Sequence, residues 1–122
     1  MEQNILYKIY YGHKLVFVGT TNVDLTNTLR VKFFGPDHLD VTRVSKVEYI
    51  TLPSMADCPV YQALYINAYK PLYNKSGKAR DELSEGVLSA LPEFVFQEYD
   101  NAILMKWERM ISNEQISLFE YF

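Results

Sequence analysis

The spacing of apolar residues in the first half of the chain changes between the period of a β-strand and that of an α-helix. Residues 5–18 alternate or run apolar on both sides of Gly12, which predicts a β-hairpin with this glycine at the turn. Asp24 can cap a helix that ends at about Phe34, and residues 44–52 form a β-branched run that predicts a third strand. One face of this first helix carries Leu25, Thr28, Leu29 and Phe33.

The second half of the chain predicts three further helices and one extended segment. A helix of about fifteen residues follows Pro53-Ser54 and ends before Pro71, because the residue ahead of a proline disfavours the α region. Residues 80–91 predict another helix, residues 93–99 predict extended chain, and Asp100 can cap a last helix. The stripe of the first of these helices contains Val60, Leu64 and either Asn67 or Ala68. The last helix carries Ile103, Leu104, Trp107, Met110 and Ile111 on one face, which we interpret as core.

These elements predict an α+β fold, a small three-stranded antiparallel sheet flanked by helices with a helical C-terminal extension. We expect one domain over residues 1–78, an extension packed on it over residues 79–112, and a tail over residues 113–122. A chain of 122 residues is long enough to bury about two-thirds of its unfolded surface in one core.

Composition and charge narrow the classes of partner. The net charge of −3 makes long-range attraction to a nucleic-acid backbone weak. A local strip of basic residues is still compatible with this net charge. Cys58 is the single cysteine, so an internal disulfide and a multi-cysteine zinc site are excluded. The sequence has no apolar run of membrane-spanning length and no signal-peptide pattern, so we expect a soluble cytoplasmic protein.

Three short motifs lie at the ends of the predicted elements. Ile5-Leu6-Tyr7 opens the first strand, Phe17-Val18-Gly19 closes the second, and Lys70-Pro71-Leu72-Tyr73-Asn74 follows a helix. In this order they resemble the motifs of the GIY-YIG nuclease family over residues 4–75. The resemblance implies metal-dependent cleavage of DNA, in which tyrosines orient the nucleophile, a cation offsets charge on phosphate and a carboxylate holds one divalent metal.

The same resemblance identifies which active-site positions are retained and which are altered. Tyr7 matches the first tyrosine of the family and Asn74 its asparagine. Phe17 stands where the second tyrosine is expected, and a phenyl ring can neither donate nor accept a proton. Gln62 stands where the metal-holding glutamate is expected, and a glutamine lacks the charge on which a hard divalent cation depends.

The cationic positions of the family are altered as well. The arginine of the family falls on Thr28, or on Asn27 if no extra residue is allowed before the helix. Arg30 lies about 200° round the helix from Thr28, so it could serve only in a different register. The next polar position of the family, often a histidine, falls on Lys32.

Catalytic groups act as a unit, so the loss of several leaves little turnover. We therefore interpret the chain as a GIY-YIG-like protein with a compromised active site, which needs no cofactor and holds no metal. The alternative is an active endonuclease that requires Mg²⁺ or Mn²⁺ and uses Tyr7, Arg30 and a carboxylate from Glu48 or Asp24.

A second motif lies at the C-terminal end of the chain. Gln115-Ile116-Ser117-Leu118-Phe119 resembles the bacterial sliding-clamp-binding motif and departs from it only by Ile for Leu. The resemblance implies a partner, the bacterial DNA sliding clamp, whose apolar pocket would take Leu118 and Phe119 from a flexible end that follows a polar leash, Ser112-Asn113-Glu114. A compact module of this kind suits a bacteriophage or mobile element. In the alternative, the tail folds onto the core of its own domain and the protein inhibits another host or defence protein.

A cluster of basic residues follows the third motif. It comprises Lys70, Lys75, Lys78 and Arg80, and tyrosines lie near it. These residues are candidates for contact with a DNA backbone. The alternative is a solvated turn in which Asp81, Glu82 and Glu85 oppose the positive charge.

Overall fold

The computed structural model describes residues 3–35, 39–74 and 94–120, with residues 112–120 described as backbone. The described residues form an α+β fold that consists of a four-stranded antiparallel sheet and three α-helices. The predicted helix over residues 80–91 lies outside the described residues, as does the predicted boundary at residue 78.

The sheet contains one strand more than the sequence predicted. Strands β1 (Ile5–Tyr11), β2 (Lys14–Thr21) and β3 (Val44–Thr51) agree with the prediction, and β4 (Gln97–Glu98) joins them in the order β2-β1-β3-β4. All pairs are antiparallel. Strand β4 lies within the predicted extended segment of residues 93–99, but the prediction of three strands was wrong because only the pairing with β3 makes this segment part of the sheet.

The hairpin of β1 and β2 turns where the sequence predicted. Gly12 has a φ of 59°, in the left-handed region that glycine adopts without a steric penalty. Tyr7 lies opposite Gly19 in the register of the two strands, and Ile9 lies opposite Phe17. These four residues therefore share one face of the sheet.

Helices α1 and α2 begin and end close to the predicted positions, and the last helix begins at its predicted position but continues through the predicted tail. Helix α1 spans Leu25–Phe34, and the side chain of Asp24 accepts a hydrogen bond from the Thr26 amide at its N-terminus. Helix α2 spans Asp57–Tyr69, and α3 spans Asn101–Glu120. Asp100 caps α3 in the same way, through the amide of Ala102. None of the described helices combines the length and apolarity that a membrane span requires.

Two predicted core positions on these helices are exposed. Val60 is 56% exposed, because the buried face of α2 carries Cys58, Tyr65 and Ile66 together with Asn67, which the predicted stripe included as one of two alternatives. Met110 is 45% exposed, because the contact of α3 with the domain runs through Leu104 and Trp107 to Ile111. Apolar periodicity identified the buried face of α3 apart from Met110, whereas it placed the buried face of α2 only in part.

The core is divided by the sheet into two clusters. The strand alternation sends Tyr7 and Ile9 into the larger cluster, where they meet α1 and α3, and sends Leu6 into the smaller cluster beneath α2. Trp107 of α3 belongs to the larger cluster and contacts Phe33 of α1. The first part of α3 therefore shares the larger core cluster with α1 and the sheet.

Candidate functional site

Tyr7 and Phe17 lie side by side on the face of the sheet that α1 covers. Their ring centroids are 6.0 Å apart, and both side chains are buried. Burial raises the pKa of Tyr7 above its ordinary value, because the phenolate would lose its hydration. The retained tyrosine is therefore held as a neutral phenol.

Gly19 allows the phenol end of Tyr7 to lie directly over the β2 backbone. A Cβ atom at this position would collide with Cζ and Oη of Tyr7, and it would lie 2.7 Å from Cε1 of Phe17. Real Cβ atoms essentially never approach other atoms so closely, so a residue with a side chain needs one of the two rings to move. The glycine that ends the second motif is thus explained by close packing.

Lys32 joins this pair from helix α1. Its Nζ atom lies 3.9 Å from the centroid of the Phe17 ring, which is the distance of a close cation–π contact. The structure therefore brings together three of the positions assigned from the family resemblance, Tyr7, Phe17 and Lys32.

Thr28 and Arg30 take part in local hydrogen bonds of helix α1. The hydroxyl of Thr28 lies 2.8 Å from that of Thr21, which connects the start of the helix to the end of β2. Arg30 is exposed, and its Nη2 atom donates to the side chain of Asn27 one turn earlier. Neither residue has a described contact with Tyr7, so the arginine is not brought into the predicted site.

Gln62 and Asn74 meet at the outer edge of β2. The side chain of Asn74 accepts a hydrogen bond from the Val18 amide at 2.9 Å and donates one to the Val18 carbonyl at 2.8 Å. Nε2 of Gln62 donates to the same carbonyl at 3.2 Å. The Tyr73 amide donates to the Val16 carbonyl at 2.9 Å. Because β2 is an edge strand, these bonds satisfy backbone groups that the sheet leaves unpaired.

The two carboxylates considered for the nuclease alternative have other partners. Glu48 lies on the opposite face of the sheet from Tyr7. Its Oε1 atom is 3.6 Å from Nζ of Lys46 and 4.0 Å from Nζ of Lys8. Asp24 accepts the hydrogen bond that caps α1. Within residues 3–35, 39–74 and 94–111, whose side chains the structure describes, no group of three or more His, Cys, Asp or Glu side chains could hold a metal ion.

The candidate binding residues are described only in part. Lys70 is exposed at the end of α2 and has a left-handed backbone, with a φ of 46°. Lys75, Lys78 and Arg80 lie outside the described residues. Gln115-Ile116-Ser117-Leu118-Phe119 lies within α3, so the backbone of this motif is helical and not the flexible end that the sequence predicted. The leash over residues 112–114 is helical too, because nothing in this polar segment breaks the helix that begins at Asn101.

One group of polar residues was missed by sequence reasoning. Lys8 extends from β1 on the face opposite Tyr7 and lies among Glu48 and aromatic rings. The signal in the sequence is a lysine between Tyr7 and Ile9 in an otherwise apolar strand. Its surroundings come from residues of β3, α2 and the segment before β4, which no local pattern connects.

No protein-family model, curated protein or solved structure matches this chain. The contacts themselves divide the predicted site into two groups of residues. Tyr7, Phe17 and Lys32 pack together under α1, whereas Gln62 and Asn74 bind the backbone of β2. Any function assigned to the site therefore depends on these contacts and on the sequence motifs.

Proposed function

We propose that this protein is a GIY-YIG-like domain without nuclease activity, which binds a bacterial DNA sliding clamp through Gln115-Ile116-Ser117-Leu118-Phe119. The observation that carries the first half of this proposal is the hydrogen bond from Gln62 to the Val18 carbonyl. The second half is supported by the sequence of residues 115–119 alone.

The side chain of Gln62 hydrogen-bonds to the backbone of β2. Its carboxamide donates a hydrogen to the Val18 carbonyl, and an ionised carboxylate has no hydrogen to donate. A glutamate here would instead place a negative charge against a carbonyl oxygen. The residue that supports the fold at this position is thus unsuited to hold a divalent cation, which needs carboxylate charge.

The environment of Tyr7 also disfavours proton transfer. A general base works best when its pKa is near the working pH, but burial raises the pKa of Tyr7 above its ordinary value. Phe17 beside it has no hydroxyl group, so the pair offers a single neutral phenol. Together with the amide at position 62, these groups support a domain that binds without cutting.

The segment that carries the clamp-binding motif is the C-terminal part of α3. Leu104 and Trp107 hold the helix in the core of the domain, and the backbone continues as a helix through Glu120. Neighbouring aliphatic and aromatic residues such as Leu118 and Phe119 are the anchors that a motif of this kind inserts into an apolar pocket on a partner. A sliding clamp is a ring with repeated pockets, so a chain of this kind could bind it in several copies.

We expect no metal-dependent cleavage of DNA by the purified protein. Supercoiled plasmid would be incubated with the wild-type chain and the Tyr7→Phe variant in Mg²⁺ and in Mn²⁺, and nicked and linear forms would be quantified. Both chains should give the same background, because the described site offers neither a charged metal ligand at position 62 nor a second phenol. Cleavage by the wild type that Tyr7→Phe abolishes would instead support the endonuclease alternative.

We expect the full chain to bind a bacterial sliding clamp with a Kd of about 1 μM, the strength of a short apolar peptide anchor. The Leu118→Ala and Phe119→Ala variants should each bind at least about tenfold more weakly, since truncation of a hot-spot anchor costs about 2 kcal/mol or more and about 1.4 kcal/mol is a factor of ten in Kd. Calorimetric titration of each chain with the clamp measures both effects.

The matched control is Met105→Ala, an exposed apolar residue of the same helix outside the motif. This variant should bind as tightly as the wild type. No binding by the wild type, or equal binding by all variants, would contradict the clamp proposal. That result would favour the alternative in which the tail is structural and the protein inhibits another partner.

A further inference from the structure

An arginine stacks on a tyrosine ring at the hairpin end of the sheet. Cζ of Arg43 lies 4.8 Å from the centroid of the Tyr11 ring, a distance typical of a cation–π contact. Arg43 ends a 3-10 helical turn, Val41–Arg43, that leads directly into β3, and this arginine is exposed. Because a guanidinium donates its hydrogens in its own plane, the stacking leaves these donors available to a ligand.

The Tyr11 ring under this guanidinium is held by further contacts. Its hydroxyl oxygen accepts a hydrogen bond from the Asp40 amide at 2.9 Å, and the ring of Tyr73 packs edge to face with a centroid distance of 5.8 Å. The Ser45 hydroxyl donates to the Gly12 carbonyl at 2.8 Å, which connects β3 to the hairpin turn. The platform is therefore already ordered, and a ligand that binds the guanidinium does not have to order it.

A second cation lies on the other side of Tyr11. Lys14 is the partner of Tyr11 on β2, and Val44, which follows Arg43, is its partner on β3. Lys14 is exposed, like Arg43. Side chains that are partners on neighbouring strands are roughly 5 Å apart, so the two cations flank one ring and can contact adjacent acidic groups of one ligand.

The positive charge of these two residues is not neutralised within the described part of the chain. Among the described residues, no carboxylate lies within 4 Å of the cationic group of Arg43 or of Lys14. The carboxylate of Asp40 instead accepts hydrogen bonds from the amide and the hydroxyl of Thr42, at 3.0 Å and 2.6 Å. A guanidinium that is held in place without an ion pair suits a carboxylate, which accepts two parallel hydrogen bonds from it.

Three observations favour an acidic protein over a nucleic acid as the partner. Arg43 already occupies a face of the Tyr11 ring, which removes a surface on which an unpaired base would stack. Two cations make a small footprint, whereas nucleic-acid binders commonly contact on the order of six or more phosphates. The net charge of −3 disfavours the approach of a densely charged polyanion more than that of a short acidic segment.

We propose that Arg43 and Lys14 form a docking site for an acidic segment of a partner protein, with the Tyr11 ring as its platform. One carboxylate of the segment accepts a pair of hydrogen bonds from the Arg43 guanidinium, and an adjacent carboxylate pairs with the Lys14 ammonium. The site shares no residue with the clamp-binding motif or with the candidate nuclease positions.

Titration of the isotope-labelled full chain with an acidic peptide, followed by NMR, tests this proposal. The probe is an eight-residue peptide of alternating Glu and Asp, and the corresponding peptide of Gln and Asn is the neutral control. The acidic peptide should shift the signals of Tyr11, Lys14 and Arg43, and the neutral peptide should leave them unchanged. The Arg43→Lys variant should bind the acidic peptide at least about threefold more weakly, because an ammonium cannot form the bidentate pair.

Arg109→Lys is the matched control, because Arg109 is an exposed arginine of α3 and both substitutions keep the net charge. This variant should bind the peptide as tightly as the wild type, and circular dichroism would check that both variants are folded. Equal affinities of the two variants, or no shift at Arg43 in the wild type, would overturn the proposal.

A single-stranded oligonucleotide of ten thymidines is the competing probe. Tighter binding of this oligonucleotide than of the acidic peptide, weakened in Arg43→Lys, would identify a nucleic-acid site and reject the acidic protein. None of these results depends on clamp binding or on plasmid cleavage, so failure here is distinguishable from failure of the proposed function.

Discussion

Replacement of Trp107 by alanine is expected to lower the free energy of unfolding by about 3–5 kcal/mol, the usual cost of removing a large buried aromatic side chain. Trp107 is 7% exposed, and its ring lies 5.9 Å from that of Phe33 and 6.1 Å from that of Phe34. The substitution removes the apolar surface that α3 buries against α1 and leaves a cavity between the helices. Urea denaturation followed by circular dichroism measures the change.

Met105→Ala provides the control on the same helix. Met105 is 52% exposed, so its truncation should change the free energy of unfolding by no more than about 0.5 kcal/mol. Equal small effects of the two substitutions would mean that α3 contributes little to the core. That outcome would contradict the shared core of α1 and α3.

Replacement of Gly19 by alanine is expected to cost about 1–3 kcal/mol of stability, because it overfills a closely packed site. The new Cβ atom would collide with the phenol end of Tyr7, whose ring is buried and has little room to move. Thermal and urea denaturation of the variant would measure the loss. An unchanged free energy of unfolding would contradict the close approach of Tyr7 to the β2 backbone.

The Tyr7→Phe substitution separates this collision from a general backbone effect. It removes Oη, one of the atoms nearest to the new methyl group, so the double variant should recover part of the stability that Gly19→Ala loses. Gly12→Ala is the matched control, because Gly12 has a positive φ but a methyl group added there would meet no atom within 4 Å. Its cost comes from backbone strain and should be independent of Tyr7→Phe.

Local sequence patterns were sufficient to predict the elements whose signals lie within a few residues of each other. The β-hairpin follows from apolar alternation and from Gly12, and α1 follows from Asp24 at its N-terminus. Each of these signals acts within a few residues, through a turn or a cap that has few alternatives. The α+β class of the fold followed from the same elements.

The candidate site could be predicted only as a set of positions. The motifs identified Gln62 and Asn74, but they did not show that both side chains donate a hydrogen bond to the Val18 carbonyl. Gln62 is separated from Val18 by 44 positions in the sequence, and Asn74 by 56. The motifs also identified Lys32, but not its contact with the Phe17 ring. Such contacts depend on the orientation of each helix on the sheet, and a small rotation of the helix changes which side chains touch.

Local sequence was enough to place the starts of β1, β2, β3 and the three helices, to show which strand positions alternate between the two faces, and to show that position 62 has no charge. The tertiary structure alone decided that β4 joins the sheet, which face of α2 is buried, and that the rings of Tyr65 and Phe96 enclose Lys8. Strand and helix periods are properties of the local backbone, whereas the surroundings of a buried side chain are set by the packing of segments that are distant in sequence.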